Sequence, residues 1–284
     1  MTLPAAVGVI GSGRMGAGIA QVFAQAGAEI TVIERDDTAA EHARARLEDG
    51  VAKAAARDAS VDAERLLTRV RVGTDFAHLA GAELVIEAVP EAFEMKVEAL
   101  TAAEKVLGAS AWLSTNTSSL SVTDLAGTLQ RPERFCGLHF FNPVPPSALV
   151  EIVITPRTAP ELRAQAETWV AALGKTPIVV NDAPGFASSR LGAAIALEAM
   201  RMLEEGVASA EDIDTAMVLG YRHATGPLRT SDLVGLDVRL GIAEYLHETL
   251  GDRFAPPQIL RDKVAAGDLG RKSGRGFFDY PAGS

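Results

Sequence analysis

Cys136 is the only cysteine in the chain, so no internal disulfide can form, and the sequence suits a reducing compartment. Long apolar runs are also missing: nothing approaches the roughly 18 consecutive apolar residues that a membrane-spanning helix needs. The opening Met1-Thr-Leu-Pro leads directly into Val7-Gly-Val-Ile10. It lacks the basic region and small-residue cleavage site of a secretory leader, so the cytoplasm is the expected location. Basic residues are outnumbered, 27 Lys and Arg against 37 Asp and Glu, for a net charge of −10. That balance argues against nucleic acid or an anionic membrane as the main partner. An anionic metabolite remains compatible with it, given a local basic patch. The five histidines are scattered, and no His/Cys/Asp spacing suggests a closed ligand set, so no metal site is expected. What is present is ordinary globular material: 284 residues, 48% hydrophobic and 23% charged, enough for one large or two ordinary domains.

The first 180 or so residues alternate short β-branched runs with helix-like stretches, the pattern of a Rossmann-type α/β fold with a doubly wound, mostly parallel sheet. Strands are expected at Val7–Ile10, Glu29–Ile33, Leu84–Ala88, Trp112–Thr115, Phe135–Phe141, Leu149–Ile154 and Thr176–Val180. Between the first two, Met15, Ile19, Val22, Phe23 and Ala26 form one apolar helical face, ended by Gly27. After Asn181-Asp-Ala-Pro-Gly185 nothing reads as a strand. Phe186–Gly206 is apolar enough to predict a helix buried on most sides, and Ser209, with Asp212 three residues on, predicts the N-cap of the next. The expected domains are therefore residues 1–183, an α/β dinucleotide domain, and residues 184–284, an all-helical domain.

Gly11-Ser-Gly13-Arg-Met-Gly16 lies between the first strand and the first helix. Gly11 permits a tight turn, Gly13 admits a pyrophosphate to the backbone, and Gly16 lets helix and strand pack closely. Glu34, 18 residues beyond Gly16, ends the second strand, where a carboxylate can accept both ribose hydroxyls of an adenosine. Its charge repels a 2′-phosphate and favours NAD over NADP, although the neighbouring Arg35 is a residue type that receives such a phosphate. The alternative is that Glu34 is a solvated charge at the end of a strand.

Two features look costly without a chemical use. His139 sits within the apolar strand Phe135–Phe141, on the face opposite Leu138 and Phe140. Glu151 lies between Val150 and Ile152, where a carboxylate needs a partner. The turn Asn142-Pro-Val-Pro-Pro146 separates the two strands, and its shortness can set Glu151 beside His139. Such a carboxylate fixes the imidazole tautomer and leaves the other ring nitrogen to exchange a proton with a substrate. The competing reading is a core histidine satisfied by hydrogen bonds. Upstream, Asn116-Thr-Ser-Ser-Leu120 follows the Trp112–Thr115 strand, where open sheets bind ligands. Ser119 or Ser121 can instead cap the next helix.

Taken with Gly137-Leu-His-Phe-Phe-Asn-Pro-Val-Pro145, Pro184-Gly-Phe186, Gly226-Pro-Leu228, Asp232-Leu-Val-Gly-Leu-Asp237 and Gly270-Arg-Lys-Ser-Gly-Arg-Gly-Phe-Phe278, these motifs resemble the 3-hydroxyacyl-CoA dehydrogenases nearly end to end. The short monofunctional bacterial members that act on 3-hydroxybutyryl-CoA are the best match. The resemblance implies NAD-dependent, reversible oxidation of a (3S)-3-hydroxyacyl-CoA in fatty-acid or aromatic-acid catabolism. It implies His139 as general base oriented by Glu151, and Ser118 on the substrate hydroxyl beside the nicotinamide. Gly11, Gly13, Met15, Gly16, Glu34, Glu91, Lys96, Ser118 and Asn142 fall at positions facing the cofactor. The second domain resembles the family's dimerisation module, which implies a homodimer.

One position departs from the family pattern Pro-Gly-Phe-x-x-Asn-Arg: here the asparagine of the active site is Ser189, which is shorter and has fewer hydrogen-bonding groups. For coenzyme A, Arg46, Lys53 and Arg57 fall within about 40° of one another on one helix. Lys53 and Arg57 match positions that family members direct to the CoA phosphates. An ordinary solvated face laced with Glu41, Glu48 and Asp49 is the alternative. Two rival functions are a sugar-acid dehydrogenase of the L-gulonate type, which has no need of that basic stripe, and a non-catalytic NAD(H)-binding protein. The latter has no use for a proton relay.

Overall fold

A computed structural model describes residues 3–59 and 61–281, and the chain divides into two compact units, Met1–Ala183 and Pro184–Ser284. The first unit alternates strands and helices: β1 (Ala6–Ile10), α1 (Arg14–Gln25), β2 (Glu29–Ile33), α2 (Asp37–Arg57), α3 (Ala63–Thr68), β3 (Val70–Gly73) and β4 (Leu84–Glu87). It continues through α4 (Phe93–Val106), β5 (Trp112–Thr115), α5 (Val122–Gly127), β6 (Phe135–Phe140), β7 (Leu149–Ile154), α6 (Pro160–Ala172) and β8 (Thr176–Asn181).

The strands form one sheet in the order β3-β2-β1-β4-β5-β6-β7-β8. β1 to β6 are parallel, whereas β7 is antiparallel to β6 and β8 is parallel to β7. The carboxyl ends of β1, β2, β4, β5 and β6 therefore share one edge, and β7 starts from that edge. Strand order reverses between β1 and β4, the place where doubly wound sheets open a crevice for a ligand. The central strands β4 and β6 are buried along their whole length, which is why they read as near-continuous apolar runs. α1 lays Ile19, Val22 and Phe23 on the sheet, and Gly27, at φ +103°, ends it. The amide of Ala28 then closes onto the carbonyl of Phe23 at 3.1 Å.

One strand, β3, has no counterpart in the sequence reading. It is four residues long and lies at the sheet's edge, so its alternation of Val70 and Val72 with the exposed Arg71 is too short to stand out.

The second unit contains α7 (Ser188–Glu204), α8 (Ala210–Thr215), α9 (Pro227–Val234), α10 (Leu236–Leu250) and α11 (Gln258–Ala265), and among its described residues β-pairing is confined to isolated bridges at Gly270, Arg275 and Asp279. Leu197, Met200, Leu228, Leu246 and Leu260 belong to its core. Ser209 caps α8 by accepting from the amide of Asp212 at 3.1 Å. The carboxylate of Asp212 returns to the Ser209 hydroxyl at 2.9 Å instead of the backbone amide, because its side chain is a methylene shorter than glutamate. α7 differs from expectation. It buries Ala193, Ala196, Leu197, Ala199 and Met200, but Leu191 and Ile195 face outward, at 64% and 37% exposure. A helix apolar all round does not reveal in its sequence which face its own chain covers.

Candidate active site

The glycine turn comes first because its geometry is forced. Gly11 has φ +83°, a left-handed conformation, and a side chain there would press on the backbone of Ala88. A Cβ on Gly16 would collide with the Gly11 carbonyl, so only glycine lets α1 start so close to β1. At Gly13 a Cβ would meet nothing within 4 Å: the space is open on the side where the helix begins. Gly13 is also the N-cap of α1 and supplies no side-chain cap, and the first turn carries no acid. The amino end of the helix is left with amide donors and partial positive charge directed at open space, which fits a pyrophosphate. Met15 lies in this first turn, partly buried against the core.

Glu34 follows β2 at the same edge, and its Oε1 accepts from Ser12 N at 2.5 Å and from Ser12 Oγ at 2.7 Å. The acid at the end of β2 therefore steadies the glycine turn. Arg35 turns to Asp36, Nε to Oδ2 at 2.9 Å, with its side chain 83% exposed. Arg46 leaves the expected basic stripe. One nitrogen of its guanidinium donates to the carbonyl of Ser12, which ties Arg46 to the glycine turn. Lys53 pairs with Asp49 at 2.6 Å, and both Lys53 and Arg57 are exposed.

After β4 the chain places a charged network beneath the edge. Glu87, fully buried at the end of the strand, accepts from Lys96 Nζ at 2.8 Å, from Thr115 Oγ1 at 2.6 Å and from Val89 N at 2.6 Å. Lys96 also reaches the carbonyl of Val89 at 3.2 Å and Glu91 Oε2 at 3.2 Å. Lys96 is thus turned inward, its side chain 1% exposed, and its charge goes to two carboxylates of the protein. Glu91 Oε1 accepts from Thr117 Oγ1 (2.6 Å), Ser118 N (2.9 Å) and Ser119 N (3.0 Å). Burial pushes the Glu91 carboxyl up, but the charge of Lys96 and the hydrogen bonds from Thr117, Ser118 and Ser119 outweigh it and hold it below the usual carboxylate value.

The loop after β5 is thereby fixed from below, with Ser118 exposed at its crest. Of the two serines that can cap α5, Ser121 does so, accepting from Asp124 N at 3.0 Å, while Ser119 turns to Glu91. Asn116 ties the loop sideways, its Oδ1 accepting from Phe140 N at 2.9 Å.

His139 and Glu151 stand directly opposite each other in the antiparallel pair β6–β7. His139 Nδ1 is 2.7 Å from Glu151 Oε2, with the histidine 6% exposed and the glutamate fully buried. A carboxylate accepts only, so the proton on the Glu151 side of the ring is carried by Nδ1. Asn142 lies exposed two residues beyond β6, at the same edge. Ser189 is half-buried in the first turn of α7, in the second unit. Among the described residues there is no group of three or more His, Cys, Asp or Glu placed to hold a metal ion. Nor is any helix long and apolar enough to cross a membrane.

Glu87 is the member of this network that sequence reasoning missed. A signal existed: an acid closing the apolar run Leu84-Val-Ile, with a lysine nine residues on, requires a buried counter-charge.

A doubly wound sheet with this glycine turn, an acid at the end of β2 and a histidine paired with a buried carboxylate at the same edge defines an NAD-dependent dehydrogenase. The family model for the 3-hydroxyacyl-CoA dehydrogenase NAD binding domain matches residues 6–183, and that for the 3-hydroxyacyl-CoA dehydrogenase C-terminal domain matches residues 185–280. The chain belongs to the 3-hydroxyacyl-CoA dehydrogenase family. It is 40% identical over 275 residues to a probable 3-hydroxybutyryl-CoA dehydrogenase of Deinococcus radiodurans, covering 96% of this chain and 99% of that protein. It is 40% identical over 279 residues to a 3-hydroxybutyryl-CoA dehydrogenase of Mycobacterium tuberculosis, covering 96% and 98%. The crystal structure of (S)-3-hydroxybutyryl-CoA dehydrogenase from Ralstonia eutropha superimposes with a TM-score of 0.93 at 37% identity, over 98% of this chain and 99% of that one.

Proposed function

We propose that the protein oxidises the 3-hydroxyl of a short (3S)-3-hydroxyacyl-CoA to the 3-ketoacyl-CoA, reversibly and in the cytoplasm. The observation that carries this reading is the buried His139–Glu151 pair, 2.7 Å apart at the carboxyl edge of an NAD-binding sheet. Gly11, Gly13, Met15 and Gly16 hold the pyrophosphate, Glu34 the adenosine ribose, and Glu91 and Asn142 line the nicotinamide side. Lys96 acts there through Glu91, which it anchors. Bound NAD⁺ supplies the acceptor for the hydride that leaves C3. Ser118 hydrogen-bonds the substrate hydroxyl, and His139 Nε2 takes its proton as the carbonyl forms. Glu151, fixed on Nδ1, holds the tautomer and stabilises the imidazolium. In reduction the protonated His139 returns the proton to the same oxygen. Lys53 and Arg57 receive CoA phosphates, Ser189 faces the acyl group, and the helical unit carries substrate contacts and a homodimer interface.

The test follows NADH absorbance with (3S)-3-hydroxybutyryl-CoA, with L-gulonate and without substrate. Turnover of the thioester is the expected result, and turnover of L-gulonate alone overturns the assignment. The same assay on longer and dicarboxylic 3-hydroxyacyl-CoAs defines the acyl range.

A further inference from the structure

The turn between β6 and β7 has too few donors to hold itself. Pro143, Pro145 and Pro146 carry no N–H, so the segment between Phe140 and Leu149 has little means of closing its own hydrogen bonds. The donors come from elsewhere. Lys175, the residue before β8, is 7% exposed, and its Nζ donates to the carbonyls of Val144 (2.7 Å), Pro145 (3.3 Å) and Ser147 (2.6 Å). An ammonium has three protons, and three carbonyls of one turn meet them. No ion pair to Lys175 is present among the described residues, so these dipoles are what compensates its burial. Burial pushes its pKa down. A buried charge with no counter-charge is a costly way to hold a turn unless the turn's shape matters.

What the turn carries indicates why it matters. Val144, 2% exposed, sits against Gly18 of α1, where a Cβ would come within 2.8 Å of it, so the turn is seated on the dinucleotide helix. Asn142, two residues before the first gripped carbonyl, is exposed beyond the end of β6. His139 and Glu151 are held independently, by the register of β6 and β7. The anchoring of Asn142 and that of the proton-exchanging pair are therefore separable.

We propose that Lys175 is a positioning residue for cofactor binding: its ammonium, gripping the carbonyls of residues 144, 145 and 147, fixes the turn that aims Asn142 at the nicotinamide side. This rests on the reading of Asn142 as a cofactor contact. The test is Lys175→Ala, read by fluorescence titration with NADH, which needs no acyl-CoA and so stands apart from the substrate assignment. The dissociation constant is expected to rise about tenfold or more. Added n-propylammonium, which returns three donors to the vacated carbonyls, restores most of the affinity; tetramethylammonium at equal ionic strength, with no N–H, does not. Thermal unfolding is followed on the same samples. Two results overturn the proposal. One is a folded variant that binds NADH within about twofold of wild type. The other is propylammonium raising the melting temperature while NADH affinity stays low, the mark of a purely structural role. Should the alanine variant not fold, Lys175→Met, which keeps the apolar stem but has no donor, takes its place, and an affinity equal to wild type overturns the proposal in the same way.

Discussion

His139 and Glu151 cost the fold something: a carboxylate and an imidazole are buried together in strands that apolar residues fill more cheaply. Their mutual hydrogen bond offsets the desolvation and fixes the orientation of the imidazole. His139→Gln leaves a neutral amide near Glu151, but an amide cannot take up and release a proton as an imidazole does. Turnover is expected to fall at least about 100-fold with NADH affinity little changed, the usual size of a lost general base. Steady-state rates beside an NADH titration decide it; near-normal turnover removes His139 from the mechanism. The glycine turn allows a second separation of roles. Gly13 has an ordinary φ of −53° and open space where a Cβ would go. Gly13→Ala should therefore melt within about 2 °C of wild type. Yet it should weaken NADH binding about tenfold or more, because the methyl takes the volume meant for a pyrophosphate. Gly16→Ala cannot make this distinction, since its methyl strikes the Gly11 carbonyl and damages the fold itself. An unchanged NADH affinity in Gly13→Ala excludes the pyrophosphate from that space.

Between elements, the buried Glu87–Lys96 pair links the end of β4, the start of α4 and the end of β5, and passes the constraint through Glu91 to the Ser118 loop. Lys96→Met removes the ammonium from a fully buried carboxylate. The remaining donors, Thr115 Oγ1 and Val89 N, cannot neutralise it, and breaking such a pair costs about 3–5 kcal/mol. Urea unfolding measures the loss, and Lys96→Met combined with Glu87→Met should recover part of it, since no buried charge is then stranded. A loss below about 1 kcal/mol places Lys96 among ordinary surface pairs. This network also marks where the sequence stopped being legible. Strands with a strong apolar pattern, the glycine turn and the opposition of two strands across a short turn could all be read from spacing. For Glu87 and Lys96 the spacing gave only the need for a counter-charge and not the geometry of the pair, because a bend and the start of a helix intervene between them. The same limit hid the contact of Arg46 with Ser12, whose 34-residue separation is closed only by β2 and α2 packing against β1 and α1. Edge strand β3 escaped for a different reason: it is four residues long, and its alternation of Val70, Arg71 and Val72 is too short to stand out.

At the scale of the whole molecule, exposed apolar side chains are unevenly distributed. Leu191, Ile195, Val207, Leu219, Tyr221, Leu233, Val234 and Val238 all belong to the helical unit, and only Met95 belongs to the sheet unit, among the described residues. The helical unit's own core is already formed by other side chains, so these are surplus to its folding. Large apolar residues concentrated on one unit mark a surface meant to be covered, and a second copy of the chain is the reading proposed above. Leu219 and Tyr221, at 75% and 76% exposure, are the side chains with most to gain. Sedimentation equilibrium should find a dimer, and Leu219→Asp should shift it towards monomer, because a carboxylate would have to be desolvated without a partner. Salt supplies an independent check. Each copy carries a net charge of −10, so two copies repel one another, and association has to come from apolar burial. Raising ionic strength screens that repulsion and should tighten the dimer, whereas an interface held by opposite charges loosens under the same change. A wild-type monomer at micromolar concentration, or a dimer that salt dissociates, argues that those apolar side chains are not where two copies meet.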